Sequence, residues 1–132
     1  MLNKTFLQAG ALMALLGVVL GAFGAHSLKS LLSIERLATF EIGVRYQMYH
    51  AIALVLVALL APYLSKRSLK IAGWLFIIGI VLFSGSLYLL ACRDVIGLTT
   101  YRWLGPLTPI GGMCFITAWG LLFIAARGYK VN

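Results

Sequence analysis

Along the chain, apolar residues gather into four uncharged windows: Thr5–Ala25, Tyr46–Ser65, Ile71–Cys92 and Trp103–Ala126. Short polar stretches separate them, and every Lys and Arg lies outside the windows. Each window reaches the about 20 residues that a helix needs to cross about 30 Å of hydrocarbon. None shows the strict alternation of a membrane β-barrel strand. A helix also pairs its own backbone N–H and C=O groups, as lipid requires. The pattern predicts an all-α, integral membrane four-helix bundle. It forms one transmembrane domain over residues 1–132, with spans at about 6–25, 44–63, 71–91 and 107–126.

The segment His26–Phe40 is too polar to span and too apolar for a free loop. Ser33 is suited to cap a helix, and Ile34, Leu37, Ala38 and Ile42 then fall on one apolar stripe. This predicts a short interfacial helix between spans 1 and 2, in the segment about 27–41, bending into the second span at Gly43. Pro106 and Pro109 bracket Thr108 and place the ordered start of the fourth helix near Pro109. No inverted repeat of the transporter kind is visible. In the first span, Gly10, Ala14, Gly17, Gly21 and Gly24 make a small-residue stripe that permits close helix approach, within the bundle or between copies. Gly111, Gly112 and Gly120 repeat the idea in the fourth. Ala22-Phe23-Gly24 imitates a signal cleavage site behind Lys4. The apolar stretch is longer than the usual 7–15 residues of about that kind of leader, so retention is expected.

Composition narrows the picture. At 132 residues and 62% hydrophobic content, four spans leave no room for a soluble domain. The net charge of +8 sits at span ends, which points to lipid headgroups and the bilayer as partner, not to nucleic acid. An even number of spans puts both termini on one side, with Lys4, Lys66, Arg67, Lys70, Arg127 and Lys130. The other side carries Lys29, Arg36, Arg45, Arg93 and Arg102. The basic cluster 66–70 favours cytoplasmic termini. Tyr63, Trp74 and Tyr129 then line the cytoplasmic interface, and Tyr101 with Trp103 the outer one. Cys92 and Cys114 differ in depth by roughly 16 Å at 1.5 Å per residue, too far for a disulfide, so free thiols are expected.

The densest polar constellation is Glu41-x-x-x-Arg45-Tyr46-Gln47-x-Tyr49-His50. Glu41 and Arg45 stand i, i+4 in the order that favours an ion pair along one helix face. Tyr46, Gln47 and His50 share another face, expected to look into the bundle, with His50 bonding to Ser84 or Ser86 of the third span. His26 ends the first span. Two histidines without ligand-spaced cysteines do not make a zinc site, and the different depths of His26 and His50 argue against haem ligation. No P-loop, nucleophile elbow, paired carboxylates or HExxH is present, so no enzyme activity, cofactor, metal or catalytic residue is expected. A proton-coupled cation exporter would be expected to carry a carboxylate in its first span, and here that span has no ionisable residue.

Three groups of residues then carry a likeness. They are Gly21-Ala22-Phe23-Gly24-Ala25-His26; Phe40-Glu41 with Val44-Arg45-Tyr46-Gln47-Met48-Tyr49-His50-Ala51; and Phe83-Ser84-Gly85-Ser86-Leu87-Tyr88 with Thr108-Pro109-Ile110-Gly111-Gly112. Over essentially its whole length the chain resembles the YwdK/YgdD-like family of small four-span membrane proteins, a domain of unknown function. The resemblance implies four helices in a bacterial-type inner (plasma) membrane. It implies no activity or substrate, and marks His26, Glu41, Arg45, Tyr46, Gln47, His50, Ser84 and Tyr88 as the polar set. With Ser86 added, these are the candidate site residues. The expected function is binding, or helping to move, a lipid-like or anionic small molecule. Arg45, backed by Glu41 and Tyr49, would supply charge, while His50, Gln47 and the serines line a polar recess. The alternative is a structural or accessory subunit acting through helix assembly, with itself or a larger complex.

Overall fold

The computed structural model describes residues 1–128, Lys66 by its backbone only, so Tyr129 and Lys130 lie outside the described residues. Its helices are Lys4–His26 (α1), Ile34–Leu60 (α2), Lys66–Gly79 (α3), Gly85–Cys92 (α4) and Leu107–Arg127 (α5). A π-helical segment, Ile80–Ser84, joins α3 to α4 without a break, and 3-10 turns occur at Leu28–Ser30 and Arg102–Leu104. Among the described residues, four helical stretches are long and apolar enough to cross a membrane: Lys4–Ser30, Ile34–Leu60, Arg67–Cys92 and Arg102–Arg127.

The helix ends follow local chemistry. Asn3 caps α1 by accepting from the Phe6 N–H at 3.2 Å, and the Ser33 hydroxyl accepts from the Arg36 N–H at 3.4 Å to start α2. From Ile34, α2 runs unbroken for 27 residues. The residues expected to form an interfacial helix are therefore its first turns and the 3-10 turn before it. Gly43 is no hinge: a Cβ there would stand 2.8 Å from the Tyr88 ring, so its role is close approach of α2 to α4. Past α4, Gly97 adopts the left-handed conformation (φ 66°). The Leu98 N–H then bonds to the Arg93 carbonyl at 2.7 Å and the Gly97 N–H to Asp94 at 3.3 Å, a Schellman closure. Asp94 is thereby held where it pairs with Arg36 of α2. α5 begins at Leu107, not at Pro109. Pro109 falls in the first turn, where a missing N–H leaves no helical bond unmade.

In lipid, helices associate through packing and polar contacts, so close approach of backbones matters most. α2 is the central helix: Ala51, Ala53, Leu54, Val57 and Ala58 have no exposed surface. The small stripe of α1 lies along it. Added Cβ atoms would meet the Ala51 carbonyl at 2.8 Å from Gly10, Val44 at 3.3 Å from Gly21 and Phe40 at 3.0 Å from Gly24. α5 presses on the third span at the π segment, where a Cβ on Gly111 would stand 2.5 Å from the Phe83 backbone nitrogen. Phe6 reaches from α1 to Gly73 of α3, joining Leu54, Val57, Phe76, Ile80 and Phe115 in one core. Outward, Leu12, Leu15, Val18 and Val19 of α1 and Ile116, Phe123 and Ile124 of α5 are exposed, as lipid-facing side chains are.

Candidate functional site

The polar set separates into three places. Deep in the bundle, hydrogen bonds tie the spans together. The Tyr88 hydroxyl donates to Gln47 Oε1 at 2.7 Å, and Gln47 Nε2 donates to the Met13 carbonyl at 2.8 Å. This chain runs from α4 through α2 to α1. A Cβ added at Gly17 would stand 3.7 Å from that amide nitrogen, so α1 passes close to Gln47 at this point. Ser84 donates to the Gly43 carbonyl at 2.7 Å, pinning the π segment to α2. Ser86 lies 2.9 Å from the Phe83 carbonyl and 2.6 Å from Thr108 Oγ1. A carbonyl only accepts, so the Ser86 hydrogen goes to Phe83 and Thr108 donates to Ser86, linking α4 to α5. Gln47, Ser84 and Ser86 are buried and engaged with protein, so they do not line a recess with His50 as the sequence suggests.

The second place is the end of α2. Glu41 and Arg45 are exposed and form no ion pair; among the described residues the pairs are Arg36 with Asp94 and Arg93 with Asp94. The expected Glu41–Arg45 bridge is absent because both side chains extend outward, where nothing holds them together. Arg45 and Glu41 border a shallow recess of about 220 Å³ with Gly21, Gly24, Phe40 and Val44. His26 is exposed at the end of α1, just beyond the Gly24–Phe40 contact. Phe40 lies ten residues before His50, about 15 Å along the helix, so the two histidines do not meet.

The third place is an open aromatic groove between α2, the π segment and α5. It has a volume of about 630 Å³ and is lined by Tyr46, Tyr49, His50, Phe83, Gly112, Phe115, Ile116 and Trp119. His50 bonds neither to Ser84 nor to Ser86; its Nδ1 lies 2.6 Å from the Tyr46 carbonyl. The serines are committed to Gly43, Phe83 and Thr108, which leaves them no reason to turn to it. Because the carbonyl accepts, Nδ1 carries the hydrogen, and in the neutral form of the ring Nε2 presents a lone pair. His50 stacks on Phe115 with centroids 3.4 Å apart and planes 2° from parallel. Tyr46 stacks on Phe83 at 4.7 Å, and Trp119 meets Phe76 edge-on at 5.2 Å. Tyr46 is 40% exposed, so it forms a wall of the groove and not part of the interior.

Sequence reasoning found Tyr46, Tyr49 and His50 but missed Phe83, Gly112, Phe115 and Trp119. Gly112, Phe115, Ile116 and Trp119 stand at i, i+3, i+4 and i+7, one face of α5. That stripe was visible, but an aromatic stripe in a membrane span reads equally well as core or lipid contact. Both cysteines are free.

Comparisons agree with this architecture. A family model described as "Protein of unknown function (DUF423)" matches residues 20–112. The UPF0382 membrane protein YwdK of Bacillus subtilis (strain 168) is 47% identical over 127 residues, covering 96% of this chain and 98% of the relative. A UPF0382 membrane protein of Staphylococcus epidermidis is 46% identical over 122 residues, covering 92% of this chain and 94% of that one. No solved structure matches the chain. With four spanning helices, and the likeness running nearly end to end on both sides, the chain belongs to the DUF423 family of UPF0382 membrane proteins.

Proposed function

We propose that this membrane protein binds an amphipathic, lipid-like molecule in the aromatic groove, as a binding or handling protein without chemistry of its own. One observation carries the reading: His50, 6% exposed, is a buried polar side chain set among Phe, Tyr, Trp and Ile at a groove of about 630 Å³. Ligand sites typically combine apolar walls with a few placed polar groups, at volumes of about 300–1,000 Å³. The rest of the internal polar set is engaged in holding helices together, and His50 alone among those residues lines the groove. An anionic ligand at Arg45 has less support, since Arg45 is exposed and borders a different, smaller recess.

The assembly reading loses its main support, because Gly10, Gly17, Gly21 and Gly24 of α1 pack against α2 of the same chain. For location we favour the cell membrane with both termini cytoplasmic, on the basic cluster Lys66, Arg67 and Lys70.

Co-purification tests the reading. Gly112→Leu puts a side chain into the groove from a position where a Cβ meets only the Phe83 ring, at 3.9 Å, and an unchanged melting temperature is its control. Extracts of the wild-type protein should be enriched in one lipid species over the bulk membrane, and those of Gly112→Leu should not. Equal extracts from the two proteins would reject groove binding.

A further inference from the structure

We infer that the occupant of the groove is an uncharged amphiphile that presents a hydroxyl group to Nε2 of His50; this rests on the groove being a binding site at all. Nδ1 is committed to the Tyr46 carbonyl, so the only hydrogen-bonding capacity His50 has left is the acceptor at Nε2. That atom takes no bond from any described residue. No fully enclosed side-chain N or O among the described residues lacks a partner, so Nε2 keeps an opening onto the groove that His50 lines. An acceptor in an apolar wall selects a donor, because a ligand without one leaves both the histidine and itself unsatisfied.

Charge is disfavoured from both directions. An anionic or carbonyl group set against Nε2 itself would need a second hydrogen on the ring, making an imidazolium, and no carboxylate among the described residues lines the groove to stabilise it. The Tyr46 and Tyr49 hydroxyls, which also line the groove, can both donate to and accept from an uncharged hydroxyl. Glu41, the acid of the same helix, lies nine residues away, about 13 Å along the axis. The aromatic walls are suited to a cation by their ring faces. However, no acid among the described residues lines the groove, so a cation there would lack a counter-charge. What fits is a hydroxyl at His50 with an apolar body lying along Phe83, Phe115 and Trp119 toward the exposed Ile116.

The experiment uses the full chain in phosphatidylcholine nanodiscs and a hexadecanol bearing a mid-chain diazirine, with crosslinks mapped by mass spectrometry. The competitors are hexadecanol, its methyl ether, palmitate and hexadecyltrimethylammonium. Saturable labelling of α5 and the π segment is expected, with hexadecanol competing at about a tenth of the ether concentration, the effect of one hydrogen bond. His50→Phe should keep the labelling and erase the alcohol–ether difference. An ether as potent as the alcohol on wild type, or palmitate or the ammonium as best competitor, overturns the hydroxyl assignment while groove binding stands. Absence of saturable labelling in the groove overturns both readings. The wild-type comparison decides the matter even if the variant fails to fold.

Discussion

The imidazole of His50 and the ring of Phe115 lie face to face, 3.4 Å between centroids and 2° from parallel, joining the second span to the fourth. The histidine is therefore packed like an aromatic side chain, with its polar edge turned to the Tyr46 carbonyl on one side and the groove on the other. His50→Phe keeps a flat ring in the slot, though a somewhat larger one, and should cost about 1 kcal/mol, the low end for added volume in a packed site. The Tyr46 carbonyl remains within the helix, so its bond to the side chain is dispensable. His50→Ala empties the slot and should cost about 2–4 kcal/mol. Thermal unfolding in detergent separates the two.

Glycine positions divide sharply. Gly111→Ala, with a Cβ 2.5 Å from the Phe83 nitrogen, and Gly10→Ala, 2.8 Å from the Ala51 carbonyl, must push helices apart. Each should destabilise by about 1–3 kcal/mol. At Gly85 and Gly120 nothing lies within 4 Å. Alanine there should be neutral or add about 0.4–1 kcal/mol by restricting the unfolded chain. The same unfolding assay reads all four.

Gln47 and Tyr88 form the middle link of the bond chain from α4 to α1. Gln47→Leu leaves the Tyr88 hydroxyl without its partner, and Tyr88→Phe removes that hydroxyl. The double variant should therefore be less damaged than the sum of the singles. A double-mutant cycle should give a coupling of about 0.6–1.7 kcal/mol, the range found between membrane helices.

Arg36 and Asp94 bind the start of α2 to the turn after α4, with the Asp94 side chain 66% exposed. Asp94 also lies 3.6 Å from Arg93, whose guanidinium sits 4.3 Å above the Tyr101 ring. In so open a setting, Asp94→Asn should cost less than about 1 kcal/mol. The difference should fade as salt rises, since exposed pairs are screened within about a Debye length. Melting curves at low and high salt check this.

The four spans were legible because lipid demands long uncharged helices, a pattern with almost no competing interpretation. The Ser33 cap and the glycine stripe of α1 were readable too, since each depends on neighbours close in sequence. What sequence could not supply was pairing between spans. Gln47 was recognised as inward-facing, but its partners Met13 and Tyr88 lie 34 and 41 residues away. Glu41 and Arg45 have ideal helical spacing and still do not pair, because spacing permits a contact that exposure makes worth little. His50 was expected among serines and stands among aromatics instead. The π segment explains part of this: its wider turn aims Ser84 at Gly43 and Phe83 at Tyr46, and such a turn has no reliable sequence mark.

The central claim is that the groove beside His50 is occupied. Native mass spectrometry of the purified protein, released gently from detergent, tests it most directly against Gly112→Leu of equal melting temperature. The account predicts one discrete added mass per wild-type chain and none on the variant. Bare wild-type protein, or the same added mass on both, would contradict it.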